Sequence, residues 1–147
     1  MSGVRLAAAS LIAVLTASAA TAQDHAERVR LTGAIPHGEL PTLLAAADVM
    51  ALASASEGLA NAWVEALASG TPVVTTDAGA AREVVDRRAA GRIAARDPTA
   101  FAQAIATILS RPPDPAATMA AAEPFSWDRN ARELRAHLAG LVADYKG

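Results

Sequence analysis

Short apolar runs along the chain alternate with segments in which apolar residues recur at helical spacing. Three of the apolar runs contain few polar positions, which predicts short strands buried on both faces. They span residues 48–54, 72–77 and 91–95. The leucines within 39–47 predict a helix, and the segment 61–69 predicts another. Alternating residues in 29–33 predict one further short strand, which ends in a turn at Gly33.

The last third of the chain predicts two longer helices. Asp97 is the expected cap of the first, over 97–110, and Pro98 suits its first turn. Its expected apolar stripe consists of Phe101, Ile105, Ile108 and Leu109. The prolines of 111–115 are expected to break the chain, and a charged amphipathic helix follows them. The residues expected to face inward from this last helix are Leu134, Leu138, Leu141 and Val142.

Strands that alternate with helices predict an α/β fold, with a parallel sheet and helices on its faces. The 147 residues are enough for one domain and not for two. Sheets of this kind bind ligands beyond the carboxyl ends of their strands. The segment 56–74, SEGLANAWVEALASGTPVV, follows one of those expected ends. It is therefore the first candidate for a functional site.

Composition and charge exclude several classes of function. The net charge of −2 gives no electrostatic reason to propose a nucleic-acid partner. The chain has no cysteine, so it forms no disulfide and uses no thiol chemistry. Its three histidines, His25, His37 and His137, lack metal-ligand spacing, and each is interpreted as a surface or loop residue. No metal site is therefore expected.

Residues 1–27 differ in character from the rest of the chain. Arg5 precedes an uncharged, apolar stretch that closes with Ala20-Thr21-Ala22, the form of a secretory signal peptide. This interpretation predicts an exported protein without a transmembrane span in the mature chain. The alternative is a displaced gene start, in which these residues replace lost structure and 11–15 can pair as a substitute strand. The residues themselves favour neither interpretation.

Two glutamates, Glu57 and Glu65, flank the expected start of the 61–69 helix. Backbone amides at a helix start lack intrahelical partners and favour an anion such as phosphate. Gly58 lets a ligand approach the backbone closely, and Asn61 is a candidate cap. A glutamate beside a phosphate accepts hydrogen bonds from hydroxyl groups, so the arrangement suits a nucleotide sugar. On spacing alone, structural roles are favoured for both acids, Glu65 through the helix dipole and Glu57 as a simple loop residue.

The residues around the two glutamates change that balance. Residues 46–85, AADVMALASASEGLANAWVEALASGTPVVTTDAGAAREVV, closely resemble the C-terminal domain of retaining GT-B glycosyltransferases, the group 1 or family 4 class. The matching positions are Ala47-Asp48-Val49, Ser54, Glu57-Gly58, Glu65-Ala66, Ala68, Gly70, Pro72-Val73-Val74, Gly79 and Glu83. The resemblance extends over 28–147. So many positions matched in order make it specific for the family, but not for a sugar.

The resemblance implies a Rossmann-like C-terminal domain, present in part over 28–147, that binds a nucleotide-diphosphate sugar. By this resemblance Glu65 holds the ribose hydroxyls, and Glu57 faces the donor sugar and its reacting end as the catalytic candidate. The amides at 59–62 take the diphosphate, and the loop after Gly33 lies along the base. The complete implied donor site is Gly33, Ala34, Ile35, Glu57, Gly58, Leu59, Ala60, Asn61, Ala62 and Glu65. The parent reaction is sugar transfer with retention of configuration, without a cofactor or a metal.

Departures from the family pattern lower the expected activity. Ala80 stands where the family has the second glycine of its Gly-Gly-x-x-Glu segment. No part of the chain matches the N-terminal acceptor domain, and none matches the basic pair, usually Arg and Lys, that neutralises the donor phosphates. Without these cations the leaving diphosphate loses its stabilisation. We therefore expect that the chain alone transfers no sugar, and one candidate partner is a separate chain that supplies the N-terminal domain.

Several alternatives share the resemblance. The chain can be a binding-only remnant or one half of a split enzyme, an exported protein that uses this fold as a scaffold, or an isomerase of nucleotide sugars. The family favours a cytoplasmic location, whereas the signal-like segment favours export. Too few pocket residues are present to identify the sugar, the base or the acceptor.

Overall fold

The computed structural model describes residues 12–13 and 29–145. Its four strands form one parallel sheet in the order β1-β2-β3-β4. They are β1 (Ile12–Ala13), β2 (Met50–Leu52), β3 (Val73–Thr76) and β4 (Gly91–Ala94). The predicted α/β fold is confirmed, and part of the expected substitute strand, β1, pairs with β2. The rest of the signal-like segment lies outside the described residues.

Helices connect the strands and cover the sheet. They are α1 (Leu40–Ala45), α2 (Asn61–Ala68), α3 (Ala81–Val84), α4 (Pro98–Ser110), α5 (Pro115–Ala120) and α6 (Trp127–Tyr145). Two 3-10 helices, His37–Glu39 and Glu123–Phe125, precede α1 and α6. The helices expected at α1, α2, α4 and α6 are confirmed. The break expected over 111–115 is too long, because α5 already begins at Pro115.

The central strand β3 separates two apolar clusters. Successive strand residues point to opposite faces of a sheet, and here Val73 belongs to one cluster and Val74 to the other. Helices α1 and α2 cover the first face with Leu44 and Trp63, among others. Helix α4 covers the second face with Ile108. All of β3 is buried, so the sheet lies between two helical layers.

Trp63 is the largest side chain of the core and is 0% exposed. Its indole Nε1 has no hydrogen-bond partner among the described residues. A buried donor left unpaired costs about 1–3 kcal/mol, which the burial of the large ring offsets. The second tryptophan of the chain, Trp127, lies at the start of α6 and is 85% exposed. The two indoles therefore occupy opposite environments.

The connection from α2 to β3 is fixed by Gly70 and Thr71. Gly70 has a φ of 82°, which confirms its expected left-handed position after the helix. The buried Thr71 hydroxyl donates to the Leu44 carbonyl near the end of α1, which ties α1 to α2. The expected cap at Asn61 is wrong. The extended backbone of the cap lies at Ala60, so Asn61 is already the first helical residue.

Two predictions made from apolar spacing are wrong. Residues 29–33 form no strand, because β2 pairs with β1 and β3 and the segment joins neither outer strand. Leu31 in this segment is 85% exposed. In α4, Leu109 is exposed, and the side that packs on the sheet includes Ala104 instead. Helical spacing of three and four residues places Ala104 between Phe101 and Ile108, whereas Leu109 lies at the edge of that face.

Helix α6 does not turn its apolar residues inward. The four predicted positions, Leu134, Leu138, Leu141 and Val142, are between 51% and 54% exposed. No residue of α6 is buried in the part of the chain that the structure describes. Its neighbour there is the 3-10 helix Glu123–Phe125. The prediction fails because amphipathic spacing identifies an apolar face but does not supply a surface to cover it.

Candidate functional site

The loop that follows β2 is held by threonines of β3. The Thr75 hydroxyl donates to the Leu52 carbonyl at 3.0 Å, and the Thr76 hydroxyl donates to the Ser54 carbonyl. Both threonines are buried, so these bonds are shielded from water. The carboxyl ends of two adjacent strands are thereby joined. The loop over 53–60 leaves the sheet from a fixed position.

Gly79 clamps the far end of this loop. Its φ is 54°, and a Cβ added there would lie 2.2 Å from the Glu57 carbonyl oxygen and 2.3 Å from that of Gly58. Backbone this close excludes any side chain at position 79. The next residue, Ala80, donates its amide to the Gly58 carbonyl at 2.9 Å from an ordinary φ of −82°. Alanine in place of the family's second glycine therefore fits the loop.

Glu57 lies half-buried within the loop. Its Oε1 accepts a hydrogen bond from the Ser54 hydroxyl at 2.5 Å. A carboxylate accepts about four hydrogen bonds, so this single contact orients Glu57 and leaves capacity for ligand hydroxyls. No cation in 29–145 forms an ion pair with it. Ser54 was matched to the family pattern, but its contact with Glu57 was not foreseen.

Gly58 and the start of α2 form an open surface. A Cβ added at Gly58 would meet nothing within 4 Å, and its φ is not positive. The fold itself therefore does not require glycine at this position. Helix α2 begins at Asn61 without a side-chain cap hydrogen bond, so its first amides are open to a ligand. Ala60 and Ala62 pack against the core, and Leu59 is exposed.

Glu65 lies one turn into α2 and lines a separate pocket of about 270 Å³. The pocket is lined by His37, Leu40, Pro41, Leu44, Glu65, Ala68 and Ser69. His37 is exposed, as the sequence predicted for a surface or loop residue, and it also lines the pocket that contains Glu65. One sequence feature could have identified His37 as a pocket residue. It directly follows the loop that was expected to lie along the base.

The loop at 33–35 is the least enclosed part of the predicted site. Gly33 has a φ of 65°, and Gly33 and Ala34 are exposed, whereas Ile35 is half-buried. These residues lead into the 3-10 helix that carries His37, but they do not line the pocket of Glu65. The structure thus brings Glu57 and Gly58 together with Gly79. It places Glu65 with α1 and leaves 33–35 at the surface.

Two arginines that sequence reasoning overlooked also lie at the carboxyl edge of the sheet. Arg82 binds Asp77 through two hydrogen bonds of 2.8 and 2.5 Å, and this contact lowers the pKa of Asp77. Arg96 follows β4, and its Nε donates to the Ala53 carbonyl at 3.4 Å. Neither matches the basic pair of the family. Only their place in the fold, after β3 and β4, identifies them as cations near the site.

Two further observations concern the described residues as a whole. None of their helices is long and apolar enough to cross a membrane. Within the same residues, no three histidine, aspartate or glutamate side chains cluster closely enough to hold a metal ion.

Known proteins with similar sequences belong to one enzyme class. The profile described as Glycosyl transferases group 1 matches residues 8–111. A D-inositol 3-phosphate glycosyltransferase of Corynebacterium urealyticum is 36% identical over 112 residues, which are 72% of this chain and 26% of that protein. A GDP-mannose-dependent alpha-(1-6)-phosphatidylinositol dimannoside mannosyltransferase of Mycobacterium tuberculosis is 37% identical over 102 residues, 68% of this chain and 26% of that protein.

A shorter match has a higher identity. An MMP alpha-(1->4)-mannosyltransferase of Mycolicibacterium hassiacum is 46% identical over 57 residues, 39% of this chain and 14% of that protein. The chain spans about a quarter of the length of the two relatives with longer matches. The family profile covers most of the chain and both glutamates, and the fold is a Rossmann-like parallel sheet with flanking helices. This chain belongs to the group 1 glycosyltransferase family.

Proposed function

We propose that the carboxyl edge of the sheet binds a nucleotide-diphosphate sugar, the donor for glycosyl transfer. The observation that carries this proposal is the open space at Gly58 beside the uncapped start of α2. Gly79 holds the backbone of Glu57 and Gly58 in place, so the space is fixed before a ligand arrives. A preformed surface with open amides suits a diphosphate.

Glu65 binds the ribose in this proposal. Its pocket of about 270 Å³ is small and mostly apolar, and Glu65 supplies the carboxylate that accepts hydrogen bonds from a diol. The loop at 33–35 lies along the base, which stays partly exposed. Relatives named for GDP-mannose support a nucleotide-diphosphate sugar as the class of donor.

Glu57 faces the sugar and its reacting carbon. In the transfer, the bond from that carbon to the diphosphate oxygen breaks, an acceptor oxygen bonds to the carbon, and the nucleoside diphosphate leaves. The acceptor hydroxyl passes its proton to the departing diphosphate oxygen, and configuration is retained. Glu57 is oriented by Ser54 and contacts the sugar hydroxyls. No cofactor takes part.

Transfer, unlike donor binding, also needs an acceptor pocket and cations that face the leaving diphosphate. The chain spans about a quarter of the relatives' length. A separate chain is one candidate source of the acceptor pocket and of the cations that neutralise the leaving diphosphate, with the reaction in the cytoplasm. Closure of two domains excludes water and aligns donor with acceptor. Donor binding is the part of this reaction that the described residues support.

Titration calorimetry with GDP, UDP and ADP tests the binding proposal. Glu65→Ala removes the hydroxyl acceptor and should weaken the best nucleotide by about 1–3 kcal/mol, or about 5- to 150-fold. Glu133→Ala on α6 is the matched control, because Glu133 is an exposed acid of the same size. It should leave affinity unchanged. Equal affinities for Glu65→Ala and the parent chain would contradict the role of Glu65.

A second variant tests the position of the phosphate. Gly58→Val places a side chain in this open space, where an added Cβ would meet nothing within 4 Å, so the chain should fold normally and lose nucleotide binding. Gly140→Val is the matched control, since Gly140 is also surrounded by open space but lies on α6. A Gly58→Val protein that binds nucleotide as the parent does would place the phosphate elsewhere.

A further inference from the structure

A second cleft lies at the opposite edge of the sheet from the proposed donor site. It has a volume of about 360 Å³. Its walls are the start of β4, the end of α4 and the loop that leads into α5. It is lined by Arg88, Ala89, Arg92, Thr107, Ile108, Arg111, Pro112, Pro113 and Asp114. Neither its location nor its residues belong to the donor site.

Three arginines converge on this cleft, namely Arg88, Arg92 and Arg111. Within 29–145, no carboxylate forms an ion pair with any of them. This distinguishes them from Arg82, Arg87 and Arg129, each of which binds a neighbouring acid. The cleft therefore concentrates positive charge that the described part of the protein does not neutralise, although the whole chain carries a net charge of −2.

The negative charge that lines the cleft is smaller than the positive charge of the three arginines. Among the described residues Asp114 is the one acid that lines it, and its Oδ1 already accepts the Ala116 amide at 2.9 Å as the cap of α5. The end of α4 contributes carbonyl dipoles equivalent to roughly half an elementary charge. Three full guanidinium charges exceed both contributions together.

The walls of the cleft are joined by a buried hydrogen-bonded side chain. Thr118 is 0% exposed, and its hydroxyl lies 2.9 Å from the Ala89 carbonyl and 3.2 Å from the Asp114 carbonyl. Ile108 extends from the cleft into the core cluster with Val74. These contacts fix the backbone around the arginines, which reduces the ordering that a ligand must impose.

We propose that this cleft binds a small anion carrying phosphate groups, of the diphosphate class. Planar guanidinium groups bind phosphate oxygens in pairs, and several of them around one cleft suit more than a single negative charge. A volume of 360 Å³ is at the small end of ligand pockets, which favours a compact ligand over a polymer. Binding here is separate from donor binding and does not depend on it.

The test uses the full chain and inorganic pyrophosphate as the probe, at 0.15 M salt to screen diffuse attraction. Two-dimensional NMR of the 15N-labelled chain follows the amides of Ala89, Thr107 and Asp114 at the cleft. The amides of Gly58 and Asn61 report the donor site in the same spectra. We expect saturable shifts at the cleft amides, and we expect them to persist in Gly58→Val.

Arginine variants connect the binding to its residues. Arg92→Gln and Arg111→Gln should each weaken pyrophosphate at the cleft by about tenfold or more, since each removes a charge-assisted contact. Arg129→Gln and Arg135→Gln on α6 remove the same net charge and should leave the affinity within about twofold. Orthophosphate should bind more weakly than pyrophosphate.

Three results would overturn the proposal. The first is the absence of saturable shifts at the cleft amides of the unmodified chain, a measurement that needs no variant to fold. The second is saturation at Gly58 and Asn61 alone. The third is an equal loss in the α6 control variants, which would mean that net charge rather than the cleft attracts the anion.

Discussion

Helices α4 and α6 share an apolar periodicity and differ in what covers it. Helix α4 packs against β3 and β4, and Ile108 on its inner side is 5% exposed. The corresponding apolar face of α6 stays about half exposed along its length. Periodicity therefore identifies which side of a helix can be buried. Whether that side is buried depends on a sheet surface that distant parts of the chain assemble.

The start of α4 is also better stabilised than the start of α6. The Asp97 carboxylate accepts the amides of Thr99 and Ala100 at 3.0 and 2.9 Å at the start of α4. Before α6, the Ser126 hydroxyl accepts one amide, that of Arg129, at 3.4 Å. Helix α4 is thus both capped and packed. Helix α6 has only a long cap contact at its start. The exposed Arg129–Glu133 ion pair on its surface contributes little to stability.

The largest effect should follow a core truncation in α4. Ile108→Ala removes methyl groups from the cluster that contains Val74 and leaves a cavity, so the free energy of unfolding should fall by about 2–5 kcal/mol. Urea denaturation followed by circular dichroism measures this change. A loss below about 1 kcal/mol would mean that α4 is not packed on the sheet in solution, and the contrast with α6 would disappear.

An intermediate effect should follow removal of the α4 cap. Asp97→Ala leaves two amides without their acceptor and should lower the free energy of unfolding by about 1 kcal/mol. Ser126→Ala at α6 is the matched comparison, and the same urea series should give a smaller change for it. Equal losses at the two positions would show that α6 depends on its cap as much as α4 does.

The smallest effect should follow truncation on the exposed face of α6. Leu138→Ala removes a side chain that is 51% exposed and replaces it with the best helix former, so the free energy of unfolding should change by less than about 0.5 kcal/mol. Thermal and urea unfolding at two protein concentrations provide the measurement. A loss above about 2 kcal/mol would instead indicate that another surface covers this face in solution.

Local signals in the sequence predicted most of the sheet and its helices. The runs at β2, β3 and β4 are short, apolar and flanked by polar or turn residues. Asp97 with Pro98 marks the start of α4. The same pair of residue types, Asp114 and Pro115, starts α5, but sequence reasoning interpreted its prolines as a break. The prediction of a strand over 29–33 was wrong for a different reason. A strand forms only where its backbone can hydrogen-bond to a partner strand.

The candidate site was predictable in its location but not in its contacts. The position after β2 follows from the general rule for parallel sheets, and Gly58 was recognised as a place of close approach. The clamp by Gly79, the bond from Ser54 to Glu57 and the placement of His37 with Glu65 join residues through space. No periodicity encodes such distances. The roles assigned to Glu57 and Glu65 remain predictions for the experiments above.

The contrast between Trp63 and Trp127 gives the molecule two built-in optical reporters. Indole emission moves to longer wavelength in polar surroundings, because solvent dipoles relax around the excited ring. Trp63 is sealed in the core without a hydrogen-bond partner among the described residues, so it emits at short wavelength until the sheet unfolds. Trp127 is 85% exposed and already emits near the limit for water. A shift of the emission maximum therefore follows the sheet, and quenching by a soluble quencher follows α6.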